Sequence, residues 1–211
     1  MSTKSMFRCQ KASCRVGKTS SRLDGRAALW ANINRHSKSF ETQEMVQRLQ
    51  DILGQLYRPP TDGTRQVFAL SRTNAEKLPQ LSSMAVISIT APYRPSASIG
   101  KFAHVLRLSF ADVDFLNPDL STRAREKLAH AFTKEQANAV RAFVEALPEA
   151  IASVVVHCEG GYSRSCGVAV ALHQLYGYSM NHQHLASANP SVVRVMMGQD
   201  RGPRMSKNFR R

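Results

Sequence analysis

Residues 157–165 read His-Cys-Glu-Gly-Gly-Tyr-Ser-Arg-Ser. A thiol, Cys158, and a guanidinium, Arg164, stand six positions apart with only small or polar residues and one tyrosine between them. Glycines at 160 and 161 let successive backbone N–H groups converge on one point, and such concavities bind anions. An arginine at the end of the turn offers a planar fork to two oxygens of a tetrahedral dianion. Nearby N–H donors and a helix N-terminus favour a cysteine as thiolate, the nucleophilic form. The segment can therefore hold an oxyanion and set a sulfur beneath it. That pairing suggests phosphoryl transfer through a cysteinyl-phosphate.

The flanking text explains how such a loop is positioned. IASVVVH (151–157) is an apolar run short enough for a strand buried on both faces. After the loop, Ser163 or Arg164 opens a helix with Val168, Ala171, Leu172 and Leu175 inward, closed by Gly177. Upstream, VFALS (67–71), MAVISIT (84–90) and HVLRLSF (104–110) read as strands, with a short helix TNAEKL (73–78) after the first. Thr133 followed by Gln136 has the form of a capping box. The helix it opens puts Ala137, Val140, Val144 and Leu147 on one face and stops before Pro148. ADVDFLNPDLSTRARE (111–126) is polar and turn-rich. Asn189-Pro190 caps or starts a last helix in 181–197. Strands alternating with helices predict an α/β fold: a central, mostly parallel sheet flanked by helices, with the anion loop between a buried strand and a helix N-terminus. In such sheets ligands bind beyond the carboxyl ends of the strands.

The signature His157-Cys158-Glu159-Gly160-Gly161-Tyr162-Ser163-Arg164-Ser165 resembles that of cysteine-dependent protein tyrosine and dual-specificity phosphatases, HCxxGxxR followed by Ser or Thr. It is most similar to the compact bacterial members, whose loop often reads HCEAGxSRS. The resemblance runs in element order over roughly residues 66–200. It implies that Cys158 is the nucleophile and that Arg164 binds and stabilises the equatorial oxygens. Backbone amides of Glu159, Gly160, Gly161, Tyr162, Ser163 and Arg164 complete the cradle. Ser165 assists the departing sulfur, and His157 orients the loop. It also implies an upstream aspartic acid as general acid and later base. Asp112 and Asp114 both follow the third strand. Relatives often carry two acids after the phenylalanine; Ala111 stands at the first place here, so Asp112 matches the second and is preferred, with Asp119 a third candidate. Relatives that prefer inositol phospholipids usually add lysines inside the loop, and this loop has none. No cofactor or metal is implied.

The chain has 211 residues and a formal net charge of +14, and the charge sits at its ends. Residues 1–40 hold nine Lys/Arg against Asp24, and residues 194–211 hold six against Asp200. Such basicity bears on association, with nucleic acid or an anionic surface, rather than on the fold. Met45, Leu49, Ile52, Leu53 and Leu56 recur at helical spacing, predicting an amphipathic helix over 41–57. The expected organisation is a basic extension with that helix (1–64), a catalytic domain (65–200) and a basic tail (201–211). No apolar run approaches the about 18 residues of a membrane span. Nothing marks the chain as secreted, so Cys9, Cys14, Cys158 and Cys166 are expected reduced and the location cytoplasmic. Cys9 and Cys14 lack a second pair at zinc spacing. Cys166 reads as a core thiol, and His182 and His184 as surface or packing residues.

The leading expectation is a metal-independent phosphomonoester hydrolase acting on a phosphorylated protein, phosphotyrosine first, with dual specificity open. Three rivals stand beside it: a catalytically silent phosphopeptide-binding module, a sulfur transferase of rhodanese type, and an RNA 5′-phosphatase suggested by the basic ends.

Overall fold

The structure is a computed structural model that describes residues 49–180 and 187–199. The expectations for residues 1–48, for His182 and His184, and for the tail from residue 200 lie outside the described residues. All described residues fall in one compact unit, so the boundary expected near residue 64 lies inside it. Among the described residues five strands form one sheet: β1 Gln66–Ser71, β2 Met84–Thr90, β3 His104–Ser109, β4 Ser153–Cys158 and β5 Ser179–Met180, in the order β3-β2-β4-β1-β5. Every pairing is parallel. The helices are α1 (described over 49–57), α2 Arg72–Ala75, α3 Thr122–Glu126, α4 Lys134–Glu145, α5 Arg164–Tyr176 and α6 Pro190–Met196, with a 3-10 turn at Lys127–His130.

Burial follows from sequence. All seven residues of β2 and all six of β4 are buried, as parallel strands covered on both faces require. The period-2 alternation then sorts side chains between two layers. Ala85, Ile87, Ile89, Val154, Val156 and Cys158 pack on one face with Val140 and Val144 of α4, Val168 and Leu172 of α5, and Val192 and Val195 of α6. On the other face, Phe68, Leu70 and Val155 pack with Leu56 of α1 and Ala75. The described part of the amphipathic helix thus covers the sheet.

α4 has the capping box its sequence predicts. Gln136 N donates to Thr133 Oγ1 at 3.3 Å, and Thr133 N to Gln136 Oε1 at 3.1 Å. Its other end is closed by a distant residue. Arg65 donates to the carbonyls of Val144, Leu147 and Pro148, pinning the helix end and the turn that follows it.

Three local expectations are corrected. The stretch 111–126 contains α3, capped by the Ser121 side chain accepting from Ala124 N, and a 3-10 turn follows it. The short helix after β1 spans Arg72–Ala75 rather than 73–78, because Ser71 Oγ caps it by accepting from Asn74 N. Leu175 is 37% exposed, not inward. The buried stretch of α5 ends at Leu172, and its last turn runs beyond the covered part.

Candidate active site

β4 lies at the centre of the sheet, between β1 and β2, and Cys158 is its last residue. The chain leaves β1 towards β2 on one side and leaves β4 towards β5 on the other. The carboxyl edge between β1 and β4 is therefore a topological switch point, where α/β sheets bind ligands. Ser71 and Cys158 face each other there across the ladder.

Around the sulfur the loop is tight. Gly161 N donates to Cys158 Sγ at 3.2 Å, and Ser165 Oγ lies 3.2 Å from the same sulfur. Both cysteine and serine are buried. Gly161 has φ of +80°, and a Cβ there would stand 2.3 Å from Ser71 N and 2.6 Å from the Leu70 carbonyl carbon. Only glycine fits a left-handed turn pressed so closely on the β1 backbone. Cys166 is buried, as a core thiol should be, and its Sγ donates to Gly161 O at 3.4 Å.

Arg164 opens α5 and is 3% exposed. Its Nη1 donates to Phe110 O at 2.9 Å, and its Cζ lies 6.0 Å from the centre of the Phe110 ring. Its Nε is buried with no hydrogen-bond partner. The nearest carboxylate oxygen, Asp112 Oδ2, is 3.9 Å away, an ion-pair distance too long for a hydrogen bond. Buried donors without acceptors are rare. The N-terminus of α5 is also without a side-chain cap, since the Ser163 hydroxyl donates to Asp112 Oδ1 at 2.6 Å instead. A guanidinium donor and a helix N-terminus therefore lie side by side at the rim of the thiol loop, an arrangement suited to an anion.

The acids separate clearly. Phe110, Ala111 and Val113 are buried, and Ala111 N donates to His130 O at 2.7 Å, which fixes the start of the loop after β3. Burying Phe110 alone stabilises this anchor by about 1.5–3 kcal/mol. Asp112 then points between Ser163, Arg164 and Asn189, with its side chain 41% exposed. Asp114 instead accepts from Leu116 N at 3.1 Å and from Ser191 Oγ at 2.5 Å, away from Arg164's hydrogen-bonding atoms. Asp119 is exposed, in a turn where its N–H donates to Asn117 Oδ1.

His157 points to the opposite face of the sheet from Cys158. Its Nε2 lies 2.9 Å from Ser88 Oγ of β2, its register partner. Burial, with a smaller contribution from the Arg72 charge, pushes its pKa down to about 4, so the ring is neutral near pH 7. Glu159 turns outward. Its carboxylate accepts from Arg72 Nη1 at 3.3 Å, and its carbonyl accepts from Arg72 N at 3.3 Å. Arg72 also donates to the carbonyls of Pro95 and Ser96, tying the loop after β2 to the thiol loop. Tyr162 is exposed.

Cys158, Gly161, Ser163, Arg164, Ser165 and Asp112 thus gather at the carboxyl edge of the sheet, while His157 lies on the other face and Glu159 and Tyr162 point outward. Arg72, Ser88 and Asn189 went unnoticed as neighbours of that site. Arg72 and Ser88 sit in ordinary strand and helix-start contexts. Asn189 carries a visible signal, but one for a helix cap. No protein-family model matches the chain, and neither does any curated protein or solved structure. Among the described residues no helix is long and apolar enough to cross a membrane.

Proposed function

We propose that this chain is a cysteine-dependent phosphomonoester hydrolase of the protein tyrosine or dual-specificity phosphatase type. The observation that carries the reading is the buried Arg164 Nε, a charged donor with no hydrogen-bond partner, at the end of a loop in which the Cys158 sulfur accepts the Gly161 N–H. A dianionic phosphoryl group meets both needs: oxygens for the guanidinium and loop amides, and phosphorus in front of sulfur.

The chemistry proceeds in two displacements. Cys158 Sγ attacks phosphorus, the bond from phosphorus to the ester oxygen breaks, and Asp112 gives its proton to the departing oxygen. Water then attacks phosphorus and loses a proton to Asp112 while the P–S bond breaks, returning the thiolate and inorganic phosphate. Ser165 Oγ, 3.2 Å from Sγ, stabilises the departing sulfur. Arg164 and the loop amides hold the equatorial oxygens throughout. His157, buried and neutral, acts only by holding the end of β4 through Ser88.

The partner this chemistry calls for is a phosphorylated protein, with an aryl ester such as phosphotyrosine first. The cytoplasm is the proposed location, since the nucleophile requires a reduced thiol. The experiment is turnover of a phosphotyrosine peptide and an aryl phosphate by the full chain and by Cys158→Ser. Turnover that disappears with the sulfur supports the reading. Undiminished turnover in the variant, or phosphopeptide binding without turnover by the unmutated chain, refutes it.

A further inference from the structure

The residue that joins the two halves of the site is Asn189, 5% exposed and remote in sequence from both. Its side-chain carbonyl does what an N-cap should. Oδ1 accepts from Ser191 N at 3.0 Å and from Val192 N at 3.3 Å, opening α6. The amide nitrogen at the other end of the same side chain is not needed for the cap. It donates to Asp112 Oδ1 at 3.2 Å and to Val113 O at 3.3 Å, across a separation of 77 and 76 residues. The backbone N–H of Asn189 donates to Ser163 O at 3.2 Å. One residue therefore touches the acid, the acid's own loop and the last residue of the thiol loop before Arg164.

The rest of the neighbourhood is built around that contact. A Cβ at Gly167 would lie 2.9 Å from Val192 Cβ and 3.1 Å from Asn189 O, so glycine at this position lets the start of α6 sit directly on α5. Ser191, two residues on, donates through Oγ to Asp114 Oδ1, and Leu116 N donates to Ser191 Oγ at 3.2 Å. The first turn of α6 thus grips the loop after β3 at both ends of its acidic stretch. Asp112 is left with one oxygen, Oδ1, occupied by Ser163 and Asn189, and the other, Oδ2, on the Arg164 side. A general acid is effective only when the oxygen that carries the proton is aimed at the leaving group.

We propose that Asn189 is a positioning residue for Asp112: its amide holds Oδ1 and the Val113 carbonyl so that Oδ2 is the oxygen that delivers the proton to the leaving group. The proposal rests on the phosphatase reading for what Asp112 does, and on the geometry alone for what Asn189 holds. Asn189 touches no reacting atom. Its loss acts on how well the acid is aimed, and therefore on esters that need a proton to leave.

Asn189→Ser separates the two ends of the side chain. Serine caps α6 as well as asparagine does, but it has no amide to reach Asp112. The measurement is kcat and KM of the full-length wild type and of Asn189→Ser on two aryl phosphates, phenyl phosphate with a poor leaving group and 2,4-dinitrophenyl phosphate with a good one. Hydrogen exchange of residues 111–116 and the Tm are followed in parallel. The expected result is a fall in kcat/KM on phenyl phosphate, which reports the first displacement, of about 10- to 100-fold, part of the full value of a general acid. The fall in kcat/KM on the dinitrophenyl ester is much smaller, Tm stays close to wild type, and amides in 111–116 exchange faster. Equal losses of kcat/KM on both esters, or none on either, overturn the proposal. Wild-type protein that hydrolyses neither ester overturns the phosphatase reading instead. Exchange then decides the positioning role: faster exchange in the variant supports it, and unchanged exchange overturns it.

Discussion

Asp112 and Ser163 lie 51 residues apart in the chain and share a hydrogen bond of 2.6 Å from the Ser163 hydroxyl to Asp112 Oδ1. This bond brings the loop after β3 to the thiol loop and sets the acid next to Arg164. It also explains why α5 begins without a side-chain cap: the residue that could supply one is turned to the carboxylate. Under the proposed function, acid and anion cradle are thus coupled through one serine.

The two acids of the loop should behave very differently on substitution. Asp112 faces Arg164, whereas Asp114 is spent on Leu116 N and Ser191 Oγ. Asp112→Asn should lower kcat on phenyl phosphate by about two to four orders of magnitude, the usual worth of a general acid. Asp114→Asn keeps an acceptor for Ser191 and should retain most of the activity. A larger loss at 114 than at 112 would reverse the assignment.

Gly161→Ala should damage stability and activity together. The residue has φ of +80°, and the added carbon would lie 2.3 Å from Ser71 N. A left-handed conformation costs an alanine about 1–2 kcal/mol before any clash, and backbone cannot move aside cheaply. Relief of the clash would carry Gly161 N away from Cys158 Sγ, which it now meets at 3.2 Å. The expectation is a lower Tm and reduced turnover, measured by thermal unfolding and an aryl phosphate assay. A variant with wild-type Tm would contradict the close packing of this turn.

His157 makes stability depend on pH in a defined window. Its folded pKa is depressed to about 4, chiefly by burial, from the ordinary 6.5 of a histidine. The unfolded chain therefore binds the proton first as pH falls. The stabilisation is complete above the unfolded value and is lost progressively between pH 6.5 and 4, to a total of roughly 3 kcal/mol. Denaturant unfolding across that range should show a steeper acid-side loss in wild type than in His157→Asn. Parallel curves would show that His157 is not the group responsible.

How far the sequence could be read depended on whether a feature is local. IASVVVH declares a strand buried on both faces through composition alone, and Thr133 with Gln136 declares a helix start because both partners of the box lie within four residues. The 157–165 signature is legible for the same reason: thiol, glycines and guanidinium share one turn. The choice between Asp112 and Asp114 rested on pattern, since which side of the loop faces Arg164 depends on the burial of Phe110, Ala111 and Val113. Asn189 announced a cap and nothing else; its second set of bonds spans 76 and 77 residues and needs α6 to lie against α5. Leu175 was misplaced because helical spacing reports a face but not where the covering layer ends. α3 escaped notice in a polar stretch with no apolar face, and none of its residues is buried.

The central claim is that the Cys158 sulfur takes the phosphoryl group. Asp112→Asn lacks the base that activates water for the second displacement, while an activated ester needs no acid for the first, so the intermediate should accumulate in this variant. The most direct measurement is a denaturing quench of Asp112→Asn during turnover of 2,4-dinitrophenyl phosphate, with the site of modification located by mass spectrometry. The account predicts a phosphoryl group on Cys158 and none when Cys158 is also changed to serine. A phosphoryl group on another residue, or turnover with no covalent adduct at all, would contradict it.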